Sequence, residues 1–211
     1  MNKLSIVFIL STILIYLFSH QAMADDLIKI NATKATPLFD GKCEQNEWSA
    51  ATKFKLPSKT SIYLMHDKDS LYVCAKGKVD DYAVIDIIIE DVKTGYLHKL
   101  HASAQLGERI YKGKNWSKPD RWNLRDWSGF WVPYAGRVES EDGLKPKFLK
   151  GSHREMQILR KKFAGEDWNM MISVSGISYK EEMTAFTFPD KAIDTDKSTW
   201  AIFSFSDQSS L

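Results

Sequence analysis

Residues Ala83 to Glu90 read AVIDIIIE, and their alternation constrains the fold more than any other feature of the chain. On an extended backbone Ile85, Ile87 and Ile89 share one face, while Val84, Asp86, Ile88 and Glu90 share the other. Comparable segments recur along the chain: TSIYLMH (60–66), SLYVCAK (70–76), YLHKLHASAQ (96–105), FWVPYAGRVE (130–139), REMQIL (154–159), WNMMISVS (168–175) and TWAIFSFS (199–206). The first two are split by Asp67-Lys68-Asp69, a polar hairpin turn, and Lys93-Thr94-Gly95 separates another pair. No stretch sustains a 3.6-residue apolar period, and only QNEWSAAT (45–52) and LRKKFAG (159–165) suggest short helical turns. The pattern predicts an all-β chain folded as an antiparallel β-sandwich.

The N-terminus predicts where such a domain works. Lys3 precedes a nearly unbroken apolar run from Leu4 to Phe18, and Ala22-Met23-Ala24 offers a small-x-small cleavage site before Asp25 and Asp26. This is the layout of a secretory signal peptide, residues 1–24, cleaved after Ala24, and the apolar run is short for a membrane span. The expected mature chain, 25–211, has the length of one domain. It is expected to be periplasmic or secreted and not membrane-spanning. Loss of Lys3 takes the overall charge of +2 to about +1, so the whole-chain balance points to no nucleic-acid partner.

Cys43 and Cys74 are the chain's two cysteines. In an oxidising compartment a Cys43–Cys74 disulfide is expected, closing a loop of roughly 32 residues and contributing about 3.7 kcal/mol in the chain-entropy view.

Four of the seven tryptophans fall in NWSKPDRWNLRDWSGFWVPY, residues 115–134. Trp116, Trp122 and Trp127 alternate there with Arg121, Arg125, Asn123 and, at the end, Tyr134. Indole rings pack against the apolar C–H faces of sugars, while guanidinium and amide groups hydrogen-bond hydroxyls. The same rings could equally be core, as large aromatics in sandwiches often are. Trp131, which precedes a strand-like stretch, reads more readily as core. Trp116, Trp122 and Trp127, set among charges and turn formers, divide evenly between the two roles.

Several motifs, taken in order, resemble a family 9-like carbohydrate-binding module, within the wider group of DOMON-type sandwiches. They are Asp40-Gly41 with Glu44, Glu47 and Trp48; Asp67 and Asp69 before Leu71-Tyr72-Val73; the acidic-aliphatic strand Asp86 to Glu90; Glu155 and Ile158, with Leu159 where the family has proline; and TWAIFSF as a final strand. The resemblance implies a non-catalytic sandwich that binds sugar between tryptophans in variable loops, here the lengthened stretch 115–134. It also places Trp48, Trp168 and Trp200 in the framework core. Some members hold structural calcium, for which Asp40, Glu44, Glu47, Asp80 and Asp81 are the candidates, although solvated loop acids would look the same. Other DOMON-type sandwiches hold haem through Met with His or Lys. Met65, His66, His101, His153 and Met156 would be available, non-covalently, since there is no C-x-x-C-H.

His98 and His101 invite a zinc reading, but a spacing of three sends them to opposite faces of a strand. None of the G-x-S-x-G, H-E-x-x-H, P-loop or dinucleotide motifs occurs. The expectation is therefore an exported, non-catalytic glycan-binding domain without a required cofactor. A non-covalent haem domain in envelope electron transfer, or a component of a glycoside-processing enzyme, are the alternatives.

Overall fold

The structure is a computed structural model that describes residues 27–130, 134–148 and 151–206. The predicted signal peptide and its cleavage site, and Trp131, lie outside the described residues. The strands are β1 (Leu27–Lys29), β2 (Asn31–Ala32), β3 (Thr52–Lys55), β4 (Ser61–His66), β5 (Ser70–Lys76), β6 (Val84–Asp91), β7 (Tyr96–Ala102), β8 (Leu106–Tyr111), β9 (Trp127–Phe130), β10 (Tyr134–Ser140), β11 (Gly143–Phe148), β12 (His153–Leu159), β13 (Asp167–Tyr179), β14 (Glu182–Phe188) and β15 (Ala201–Ser204). Two short 3-10 turns, Arg160–Lys162 and Lys197–Thr199, are the helical pieces among the described residues.

The strands form two sheets. The first runs β1-β15-β13-β6-β7-β8, with β14 also paired to β13; the second runs β2-β4-β5-β12-β9, with β3 beside β4; β10 and β11 make a separate hairpin. The sandwich is antiparallel in its body, as expected. At its edges it departs from that expectation: β1 pairs with β15, and β2 with β4, in parallel. The reason is that one N-terminal segment passes from the first sheet to the second, adding a short strand to each.

Alternation decides what lies between the sheets. Ile85, Ile87 and Ile89 face Leu100, Ile172 and Val174 and meet Ile62, Leu64, Leu71, Val73, Met156 and Ile158 of the second sheet, all fully buried. Trp168 joins this core with Phe163 and Phe205 edge-on to its ring, at 5.3 and 4.7 Å between centroids. β13 accommodates a bulge at Gly176, whose φ is +71°; a Cβ there would come within 2.1 Å of the Tyr82 carbonyl, so only glycine fits.

The outer face of the second sheet is covered by the segment that precedes β3. Cys43 and Cys74 are joined, as expected, and pack with Trp48, Met65 and Tyr72. Glu155, fully buried under this flap, accepts the Gly41 amide at 2.7 Å and the Trp48 indole N–H at 3.3 Å. Burial pushes its carboxyl up from the usual range, against those bonds. The expected turn between β4 and β5 is built on Asp67, whose carboxylate accepts the Asp69 and Ser70 amides and the Tyr72 hydroxyl.

Candidate functional site: an open polar face beside an exposed tryptophan

The outer face of the first sheet is covered over only part of its area. Ile88, Leu97 and Met171 are sealed by Ala192 and Trp200 from the segment before β15, with Tyr111 and Trp116 packed alongside. Further along the same face the side chains turn polar. Asp86 lies opposite His101 in the β6–β7 ladder, and its Oδ1 meets His101 Nδ1 at 2.8 Å, while Nε2 lies 2.8 Å from Ser103 Oγ. Lys99, next outward residue on β7, pairs with Asp194 at 2.6 Å. Arg109 stands opposite Lys99 on β8, its Nε donating to the Ser117 carbonyl at 2.9 Å.

The tryptophan-rich run forms the wall of this face. After β8 the chain doubles back and adds to the sheet edge: the Glu108 and Asp120 backbones exchange two bonds of 2.8 Å, and the Ser117 amide donates to Ile110. The wall and the sheet enclose a cleft of about 290 Å³ lined by Asp86, Lys99, His101, Gly107, Arg109 and Arg121, among others. An adjoining open hollow, about 490 Å³, is lined by Lys118 to Trp122 and shares Pro119 and Arg121 with the cleft. At its lip Asp120 Oδ1 accepts the amides of Trp122 and Asn123, each at 3.0 Å, and these bonds hold its carboxyl below the usual range. That turn thrusts the Trp122 indole outward, 92% exposed. No aromatic ring or cation among the described residues covers it.

The expected ligand residues thus separate. Arg121 and Trp122 border the same hollow, with Asn123 beside them, its side chain also bonded to Asp120. Trp116 is half-buried, 5.4 Å from the Tyr111 ring centroid, with Lys99 and Arg109 5.6 and 6.0 Å from its own. Arg125 is exposed, and its carbonyl accepts Lys162 Nζ at 2.9 Å. Tyr134 begins β10; its side chain lies outside the described residues. Trp127 is turned inward, 6% exposed, and donates its N–H to Glu108 Oε2 at 2.9 Å. With its ring inside the main core, Trp127 has no face to offer a ligand. The framework tryptophans Trp48, Trp168 and Trp200 are buried as expected.

Glu108 is the hub of an interior polar cluster. Besides Trp127 it bonds His98 Nδ1 at 2.7 Å and Lys162 Nζ at 3.0 Å. Burial alone would push its carboxyl up, but these partners outweigh that and hold it below the usual range. His98 therefore faces inward and His101 outward, as the spacing requires.

A second cleft of about 290 Å³ lies on the outer face of the second sheet, lined by Trp48, Tyr63, Lys53 and Lys76 among others. Trp48 is buried there, and Lys53 sits 4.9 Å over the Tyr63 ring.

Of the candidate calcium ligands, Asp40 and Asp81 have their carboxylates engaged, while one buried Glu47 oxygen has no hydrogen-bond partner among the described residues. Lys42 pairs with Asp40 at 2.6 Å and holds its carboxyl low. Both Asp81 oxygens accept backbone amides, from Lys78 at 2.7 Å and Ser178 at 2.9 Å. Glu44 and Asp80 are exposed on separate turns, and no three His, Cys, Asp or Glu side chains among the described residues converge as a metal site. The residues considered for haem are spread over separate clusters. Met156 is in the main core and Met65 outside the second sheet, His66 is edge-on to Phe205, His101 is bound to Asp86, and His153 to Ser152.

What the sequence reading missed is the role of β8. Its alternation is Leu106, Glu108 and Ile110 against Gly107, Arg109 and Tyr111; an acid in the middle of the inward set disguises the strand. With β8 unrecognised, Lys99 and Arg109 could not be placed together.

No protein-family model matches the chain, and no curated protein does. Among solved structures, the chain is similar to a family 9 carbohydrate-binding module from Caldicellulosiruptor kristjanssonii in complex with glucose, at 14% identity over 86% of this chain and 97% of that one, with a TM-score of 0.47. The module in complex with cellotriose gives 14% identity, 87% and 97% coverage, and a TM-score of 0.43. A candidate carbohydrate-binding protein from Bacteroides uniformis gives 6% identity, 85% and 97% coverage, and a TM-score of 0.49.

Proposed function

We propose that this chain is an exported, non-catalytic glycan-binding domain, and that its binding surface is the polar cleft of the first sheet together with the Trp122 hollow. The observation that carries the reading is Trp122: a whole indole held in water by a turn built on Asp120, next to the Arg121 guanidinium, which has no ion-pair partner among the described residues. A large aromatic left 92% exposed costs apolar hydration that a partner would relieve. A pyranose matches both parts of the surface, its C–H face on the ring and its hydroxyls on Arg121, Asp86 and His101. The family resemblance of the sequence supports the same class of ligand. Binding without bond cleavage is the reading we favour: among the described residues that line the cleft Asp86 is the one carboxylate, and it is bound to His101, where glycoside hydrolysis ordinarily uses a pair. Export rests on the signal-like segment 1–24, with cleavage after Ala24.

The test is a glycan array probed with the mature domain and with Trp122→Ala. Wild-type protein is expected to label a restricted set of glycans and the variant none. Identical array profiles for the two proteins would dismiss this surface as the site.

A further inference from the structure

The near-neutral balance of the whole chain conceals a strong local asymmetry. Between Arg109 and Arg125 there are six cations, Arg109, Lys112, Lys114, Lys118, Arg121 and Arg125, against one carboxylate, Asp120. The rest of the chain then carries 23 cations against 26 carboxylates, so the wall of the cleft is a basic segment on an otherwise slightly acidic protein. None of the six is within ion-pair distance of a carboxylate among the described residues; elsewhere on the surface pairs such as Lys99–Asp194, Lys197–Glu90 and Lys161–Asp126 do form. The acids nearest the wall are already occupied. Glu108 is turned into the interior, Asp86 is bound to His101, and Asp120 accepts two amides of its own turn.

We infer that the glycan taken by this site is acidic, bearing carboxylate or sulfate groups. This inference rests on the proposed glycan-binding surface and narrows its ligand class. Arg109 and Arg121 line the cleft, and Lys118 and Arg121 the hollow that Trp122 borders, so anionic groups on a sugar stacked against Trp122 have guanidinium and ammonium donors in the adjoining surface. Guanidinium groups suit carboxylate and sulfate because their paired N–H bonds match two acceptor oxygens. Exposed cations without partners also attract a polyanion from a distance, so the affinity falls as salt rises. Gly107 floors the cleft, and a Cβ there would meet only ordinary contacts at 3.7–4.0 Å, so a larger side chain can fill the cleft without disturbing the sheet.

The experiment is calorimetric titration of the mature domain with an oligogalacturonate, a cello-oligosaccharide of equal length and a single-stranded oligonucleotide, at 50 and 300 mM NaCl. The expected result is oligogalacturonate binding at least tenfold tighter than the neutral oligosaccharide at low salt and roughly tenfold weaker at high salt. Arg121→Gln should remove most of that preference, and Gly107→Leu should weaken binding while leaving Tm nearly unchanged. Equal affinity for the acidic and neutral sugars would overturn the acidic-ligand inference and leave the glycan surface standing. No binding of either sugar would overturn the surface itself. Oligonucleotide binding as tight as that of the acidic sugar and insensitive to Trp122→Ala would also overturn the inference, by reducing the wall to a general polyanion patch.

Discussion

Within five residues the chain passes from Trp122, 92% exposed, to Trp127, 6% exposed with its indole N–H held by Glu108. Both lie in the same charged, turn-rich run, and residue type does not distinguish them. What does is the sheet each segment serves. Around Trp122 the chain is an edge cover for the first sheet, bent outward by the Asp120 turn; at Trp127 it has become β9 and pairs with β12 of the second sheet. The neighbouring strands repeat the contrast. On one side of the β7–β8 hairpin, His98 and Glu108 form a closed interior cluster in which each charge is matched. On the other side, Lys99, His101 and Arg109 border an open cleft beside Arg121, which has no ion-pair partner among the described residues. The interior set ties the two sheets together, and the outer set borders solvent.

Trp127→Ala is the sharpest way to break this comparison. It opens a cavity in the core and strips Glu108 of a donor, so a loss of about 3–5 kcal/mol is expected, with Tm falling on the order of 10 °C in thermal melts. Glu108→Ala comes next, at about 2–4 kcal/mol, because the largely buried Lys162 loses its counter-charge, and His98 and Trp127 lose their partner. Glu108→Gln, which keeps one acceptor and the side-chain shape, should lose visibly less. A Glu108→Ala protein as stable as wild type in urea titration would mean that the cluster does not hold the sheets together.

A smaller effect is expected from acid. Burial, with help from the Lys76 and Arg154 charges, lowers His153 from its ordinary value to about 4. A histidine whose folded pKa lies below its unfolded one favours the neutral form in the fold. Its contribution is therefore complete above about pH 6.5 and is lost as pH falls toward 4. Allowing for its remaining contact with solvent, the loss is about 1–2 kcal/mol. Tm measured from pH 7 to 4 should slope downward in wild type and be flatter in His153→Gln. Glu108, with its pKa lowered, gives way at the acid end of that range or beyond, so the two windows separate. The smallest stability effect belongs to Trp122→Ala: less than about 0.5 kcal/mol, since truncating a solvated ring opens no cavity, together with a large loss of glycan affinity. A drop in Tm approaching that of Trp127→Ala would merge the two tryptophans into one class and end the comparison.

Much of the architecture was legible because alternation is a local property. AVIDIIIE, SIYLMH and SLYVCAK each declare their buried face, and the Asp67 turn joins two of them. The disulfide followed from the export-like N-terminus and the pairing of two cysteines. Less legible were the strands whose alternation is interrupted: β8 by the inward Glu108, and β13, which continues past its bulge at Gly176 to pair with β14. The parallel edge strands, two and three residues long, are too short to carry a pattern. For the site, the run 115–134 was visible as a concentration of aromatics and charges, and Arg121 and Trp122 lie where a ligand could reach them. The fate of Trp127 was not visible, because its partner Glu108 comes from a different strand and no local signal marks the meeting. Lys99, His101 and Arg109 escaped for the same reason.

Which indole meets the ligand can be read one ring at a time. In a 1H–15N spectrum the seven tryptophans give separate indole N–H signals, assignable by single Trp→Phe variants. Titration with a glycan identified on the array should move the Trp122 signal most and the half-buried Trp116 less, while Trp127, Trp48 and Trp168 stay in place. A Trp122 signal that remains still at saturation, while binding is evident elsewhere in the spectrum, would contradict the account.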